Sequence, residues 1–173
     1  TWSTSSLNTY LNGTYLTSLG TLADKIAITA YKVGGSTSAN LLFSPPATAY
    51  LNEVGSSASS TTHNAKIGLM YMSDYYYGAS PSAWTLVGLN ENDPTKDYSA
   101  ATTMNWLYSG FEEWTITRYT QSARRAFRVH SDGFLGNPTV NEFNLAVRPV
   151  FNLESSTTYV SGSGTVIDPI VIN

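Results

Sequence analysis

At 173 residues, with 42% hydrophobic but only 12% charged side chains and a net charge of −3, the chain has the length of one domain, able to bury roughly two thirds of its unfolded surface. Its nine Lys and Arg are scattered apart from Arg124, Arg125 and Arg128, which excludes the continuous basic face that nucleic acid requires. Cysteine is absent, so disulfides, thiolate metal sites and cysteine nucleophiles are excluded together. A charged share about half the usual one, with Ser, Thr, Asn, Gly and Tyr filling the surface, suits an extracellular β-rich protein, and the absence of cysteine is compatible with a Gram-positive exterior. The sequence starts at Thr1-Trp2 and holds no apolar run of about 18 residues. We therefore expect residues 1–173 to be a single extracellular domain, the C-terminal part of a longer protein. Any membrane attachment would come through a segment outside it.

In chain order, Ser3, Thr4, Ser5 and Ser6 offer helix caps ahead of Leu7, Tyr10 and Leu11, which share one helical face. Asn12-Gly13 is expected to break that helix, and Tyr15, Leu16 and Leu19 suggest a second short one ending at Gly20. Asn12-Gly13-Thr14 also matches the glycosylation pattern, by pattern alone. Ile26 to Val33 alternates as a strand and stops at Gly34-Gly35. From Ser36 to Asn64 the composition and Pro45-Pro46 predict long loops, interrupted by a short piece near Tyr50 to Val54. Lys66 to Tyr75 is apolar on both alternating faces, which predicts the central strand, covered on both sides. Long loops follow to Asn105, with a short ordered piece over Ala83 to Leu89. Glu112 to Tyr119 and Ala126 to His130 read as paired strands, with Trp114, Ile116, Phe127 and Val129 inward and a turn at Ser131-Asp132-Gly133. Leu145 to Leu153 reads as a strand in which Pro149 demands an edge, a strand start or a bulge. Tyr159 to Asn173 closes the chain through Gly162-Ser163-Gly164 and an apolar tail.

Trp2-Ser3-Thr4-Ser5-Ser6-Leu7-Asn8 with Tyr10-Leu11-Asn12, Lys66 to Tyr75, Asn105-Trp106, Glu113-Trp114-Thr115-Ile116, Ala146-Val147-Arg148-Pro149-Val150-Phe151, and Gly162-Ser163-Gly164-Thr165 before Asp168-Pro169 together span nearly the whole chain. In these stretches it resembles the C-terminal domains of Firmicutes surface and prepilin-like proteins. That group is similar in turn to the C-type-lectin-like fold shared with formylglycine-generating enzymes. The resemblance implies an α+β fold, with short N-terminal helices packed on a twisted antiparallel sheet and long loops carrying any binding surface. Two departures matter. Ala146 stands where the lectin-like pattern often has Gly, and the absence of cysteine removes the oxidative chemistry of the formylglycine enzymes.

Among candidate site residues, Arg148 reads as a buried structural charge with Asp74 as its natural partner, unless Asp74 caps the following turn. Asn90, Asn92, Asp93 and Asp97, with Glu91 between them, gather oxygen ligands of the kind calcium takes, in a spacing that fits no EF-hand loop. Calcium is thus the one cofactor with candidate ligands, and otherwise none is expected. His63 and His130 lack triad or metal-site neighbours and are expected at the surface. Adjacent Glu112 and Glu113 point to opposite faces of a strand and fail as an acid pair. Exposed aromatics stack on sugar faces and anchor interfaces, so Tyr76, Tyr77, Trp84 and Tyr108 are the candidate ligand contacts. Trp2, Trp106 and Trp114 are assigned to the core. These residues predict a non-enzymatic extracellular adhesion or binding module facing a glycan or protein ligand. The alternative is a structural head domain of a pilin-like or other surface filament, whose partners are neighbouring copies.

Overall fold

The computed structural model describes residues 1–36, 46–55, 61–89, 92–142 and 144–173. After a 3-10 turn at Trp2–Thr4, helix α1 (Ser6–Tyr10) starts where the Asn8 amide donates to Ser5 Oγ at 3.1 Å. The backbone does not break at Asn12-Gly13. It passes through one π-helical turn (Leu11–Tyr15) into α2 (Leu16–Ser18). The reason is tertiary: Asn12 Oδ1 accepts from the amides of Lys66 (3.1 Å) and Ile67 (2.9 Å), and Asn12 Nδ2 donates to the Ile67 carbonyl at 2.9 Å. The same Nδ2 also donates back to the Asn8 carbonyl at 3.3 Å, one turn earlier, so the side chain ties the helix to Lys66 and Ile67 without leaving it, and the extra residue of a π turn is a common way of aiming such a side chain.

Helix α3 (Leu22–Lys25), β1 (Thr29–Lys32), β2 (Gly35–Ser36), α4 (Pro46–Glu53), β3 (Thr62–Ala65) and β4 (Gly68–Leu69) follow. The predicted central strand is therefore short: after Met70 the chain turns into α5 (Met72–Tyr77). What ends the strand is capping. Asp74 Oδ2 accepts the Tyr71 amide at 2.7 Å, and the Glu53 carboxylate, arriving from α4, accepts the amides of Met72 (3.1 Å) and Ser73 (3.2 Å). Three of the first donors of α5 are thereby satisfied, two of them on the buried residues Met72 and Ser73. The expectation of cover on both faces does hold for this stretch. Ile67 and Leu69 enter one core with Leu11, Tyr31 and Ile116, whereas Met70 and Met72 enter the other with Tyr75, Tyr76, Phe127, Val129 and Leu135.

A 3-10 helix (Pro81–Leu86), α6 (Tyr98–Thr103), β5 (Glu113–Tyr119), β6 (Ala126–Val129), β7 (Leu135–Gly136), β8 (Pro149–Val150), β9 (Tyr159–Ser161) and β10 (Val171–Ile172) complete the described elements. The largest sheet runs β2-β5-β6-β7, with β2 parallel to β5 and the other pairs antiparallel. Three antiparallel pairs, β1-β3, β4-β8 and β9-β10, stand beside it. The fold is thus mixed α+β, with short helices and several small sheets instead of one continuous twisted sheet. Phe127 and Val129 of β6 point inward as their alternation predicts, but β5 is covered on both faces, with Glu113, Thr115, Ile116 and Thr117 all buried. Thr115 and Thr117 escape the cost of burial by donating to the Phe127 carbonyl at 2.9 Å and to Glu53 Oε1 at 2.5 Å. Pro149 opens β8, opposite Leu69, where its missing amide costs no ladder bond within the strand.

Candidate functional site

The predicted ligand loops converge on the C-terminal end of α5. Asn105 is buried and acts as the clasp. Its Nδ2 donates to the Tyr75 carbonyl at 2.7 Å, its Oδ1 accepts the Leu107 amide at 2.9 Å, and its backbone bridges Ala79. The Trp106 amide then donates to the Gly78 carbonyl at 3.0 Å. Position 78 has to be glycine, because a Cβ there would lie 2.6 Å from Asn105 Oδ1. This clasp holds three aromatics along the segment 77–79. Tyr77 ends α5, and Trp84 meets it edge to face with ring centroids 5.3 Å apart while its indole Nε1 donates to the Ala79 carbonyl at 3.1 Å. Trp106 extends from the clasp itself, with the exposed Met104 beside it in sequence.

Two expectations are corrected here. Tyr76 is only 2% exposed and sits in the core, where burial raises its phenol pKa well above the usual range. Trp106, assigned to the core, is 79% exposed, and Tyr77 is 45% exposed. The physical reason is the clasp: Asn105 takes the buried position, and Trp106 follows it in a turn closed by the Tyr108 amide donating to the Asn105 carbonyl at 3.1 Å, which leaves its side chain in solvent. Tyr108 lies apart from the ledge, half-buried, with its hydroxyl donating to the Ser131 carbonyl. Trp2 and Trp114 are half-buried against the core that holds Ile67 and Leu69.

The charged candidates pair differently from expectation. Arg148 does not meet Asp74, which is consumed in capping α5. Instead Arg148 Nη2 donates to Glu113 Oε1 (2.9 Å) and Oε2 (2.7 Å), and Ser109 Oγ donates to Oε1 at 2.9 Å. Glu112, on the other face of the strand, accepts from Arg128 and from His130 Nε2, the latter at 2.7 Å. His130 is half-buried and stacked on Phe134 at 4.1 Å, so it is no free surface residue. The Asp132 amide donates to its Nδ1 at 3.2 Å, and the Ser131 hydroxyl lies 3.4 Å from the same nitrogen. His63, also half-buried, contacts Asn8 Nδ2 at 3.2 Å.

Of the proposed cation ligands, Asn90 lies outside the described residues and Asn92 is exposed. Asp93 Oδ1 accepts from the Thr95 hydroxyl and amide at 2.7 and 2.9 Å, bonds that hold its carboxyl below the ordinary carboxylate range, and Asp97 Oδ1 caps α6 through the Ala100 amide at 2.9 Å. Among the described residues no three His, Asp or Glu side chains gather as a metal site would require.

Sequence reasoning missed two groups. Glu53 is completely buried, and burial pushes its carboxyl up to about 7 despite the hydroxyl and amide donors around it. Asn105 carried no signal beyond its place before a tryptophan in a loop. No protein-family model, curated protein or solved structure matches the chain.

Proposed function

We propose that the chain is a non-enzymatic cell-surface binding or adhesion module with a C-type-lectin-like fold, of the kind carried by Firmicutes surface and prepilin-like proteins. Its glycan or protein ligand rests on the ledge of Tyr77, Trp84 and Trp106. The observation that carries this reading is Trp106, a large aromatic 79% exposed on a backbone that is itself rigidly clasped by a buried asparagine. An exposed indole on a fixed loop offers a flat apolar face with little entropy left to lose, which suits a sugar ring or an apolar side chain. Tyr77 and Trp84 add a second, edge-to-face surface whose indole nitrogen is already satisfied. Screening the chain on a glycan array and on extracellular matrix proteins tests the reading. A ligand whose affinity falls about tenfold or more on Trp106→Ala supports it. Binding indifferent to Trp106, Tyr77 and Trp84 together refutes it.

A second reading, a head domain packed against neighbouring copies in a surface assembly, is favoured by a separate observation. The hairpin β9-β10 belongs to neither core and exposes Tyr159, Val160, Val166, Ile167, Ile170 and Val171.

A further inference from the structure

Two apolar features of this molecule lie apart and match each other. The first is the apex of the C-terminal hairpin. Thr165 and Asp168 bridge each other, with the Asp168 amide donating to the Thr165 carbonyl at 3.2 Å and the Thr165 amide to the Asp168 carbonyl at 3.2 Å. This tight turn leaves Val166 and Ile167 at its tip, 100% and 95% exposed. The arm behind the tip is held closely together. Gly162, at φ +99°, lets the strands approach so far that a Cβ there would stand 1.9 Å from the Pro169 carbonyl oxygen. Turn tips ordinarily carry Gly, Asn, Asp or Ser, and a two-stranded hairpin alone is marginal in water. A built turn that holds two branched aliphatic side chains wholly in solvent is a surface awaiting cover.

The second feature is a groove lined by Leu7, Tyr10, Leu11 and Tyr15 of the N-terminal helix and by Val147 and Pro149, with a volume of about 270 Å³. An apolar cavity of about 150 Å³ holds a benzene-sized molecule, so this groove has room for two branched aliphatic side chains. In its own chain the tip does not reach it, since Val166 and Ile167 are bare. Charge points to the same occupant. Residues 1–23 contain no charged side chain, and residues 155–173 contain only Asp168, whose Oδ2 accepts the Ser163 amide at 2.8 Å. Two copies of a chain of net charge −3 can thus meet at these surfaces with no like-charge pair facing another.

We propose that the chain associates head to tail, with the Val166–Ile167 tip of one copy seated in the Leu7–Tyr10–Val147 groove of the next. The contact joins two different patches, so the copy that gives its tip keeps its groove free and the copy that gives its groove keeps its tip free, and the product is an open chain or a ring. Burying both tip side chains is worth on the order of a hundredfold or more in affinity. This proposal deepens the assembly reading above and is independent of the ligand ledge.

The test is sedimentation velocity on the purified 173-residue chain across the micromolar to millimolar range, beside a tip variant (Val166→Asp with Ile167→Asp) and a groove variant (Tyr10→Glu). The sites substituted are exposed, and circular dichroism with cooperative thermal melting establishes that both variants fold. The expected result is a wild-type mass that rises with concentration, variants that stay monomeric, and an equimolar mixture of the two variants that stops at a dimer. The mixture retains one intact tip and one intact groove, which makes a single capped contact. Wild-type association that survives the tip variant overturns this contact while leaving the assembly reading standing. A wild type that stays monomeric throughout overturns both, as does one that remains monomeric yet floats with phosphatidylcholine vesicles through the same tip.

Discussion

Glu53 is expected to make the stability of this protein fall as the solution is taken from mildly acidic to mildly basic pH. Its carboxyl is completely buried between α4 and α5, and that desolvation raises it from an ordinary 4.5 to about 7. The folded state therefore holds a proton over this interval that the unfolded chain has released. The resulting stabilisation is full below about pH 4.5 and is lost as pH rises through about 7, a change of about 3 kcal/mol. In urea, with a slope of about 2 kcal/mol per molar, that moves the unfolding midpoint down by about 1.5 M between pH 5 and pH 8. Glu53→Gln supplies the control. The glutamine oxygen keeps the Met72 amide and the Thr117 hydroxyl, while its NH₂ faces the Ser73 amide and forfeits about 1 kcal/mol. The variant is thus the weaker protein at pH 5 and the equal or stronger one at pH 8, so the two stability curves cross. Asp74, raised by its own burial, and Asp93, lowered by its bonds to Thr95, add slopes common to both proteins. Midpoints for wild type and variant that run parallel with pH would refute the argument, because Glu53 would then titrate alike in the folded and unfolded chains.

Four further outcomes follow from the same geometry. Arg148→Met strands the buried Glu113 carboxylate and lowers stability by about 3 kcal/mol, or about 10 °C in the melting midpoint, whereas Arg148→Met combined with Glu113→Gln recovers part of it; equal losses in both would mean the ion pair is not the cause. Asn12→Ala removes the acceptor of two amides and a donor to the Ile67 carbonyl, so urea denaturation should show a loss of about 2 kcal/mol, and a loss under about 0.5 kcal/mol would show that water replaces the clamp. Trp106→Ala leaves the midpoint within about 0.5 kcal/mol of wild type, as befits a residue with little to lose by exposure, while Asn105→Ala costs about 2 kcal/mol and loosens the ledge; a large loss from Trp106→Ala would place that ring against the body of the protein. Calcium added at millimolar concentration leaves the melting midpoint unchanged, because Asp93 and Asp97 already bond the backbone, and a rise of several degrees would make Asn92, Asp93 and Asp97 a cation site after all.

By itself the sequence determined what depends on neighbours along the chain. The serine cap before Leu7, the inward alternation of Phe127 and Val129, the tight turns rich in glycine, and the two covered faces of Ile67 to Met72 all arise from residue spacing, and spacing is visible in one dimension. Only the tertiary structure decided which way a residue turns when distant partners compete for it. Asn12 reads locally as a helix breaker and becomes a helix residue because the amides of Lys66 and Ile67 claim its side chain. Met72 reads as strand and becomes helix because Glu53 and Asp74 satisfy the donors that a helix start leaves open. Tyr76 and Trp106 both lie in aromatic, polar stretches of sequence, and their opposite fates were decided in three dimensions: Tyr76 packs into the core with Phe127, Val129 and Leu135, whereas Trp106 follows a buried asparagine in a turn. Hydrogen-bond partners brought together from remote positions carry no periodic signal, because nothing in the order of residues records which amide will be left dry when the cores close.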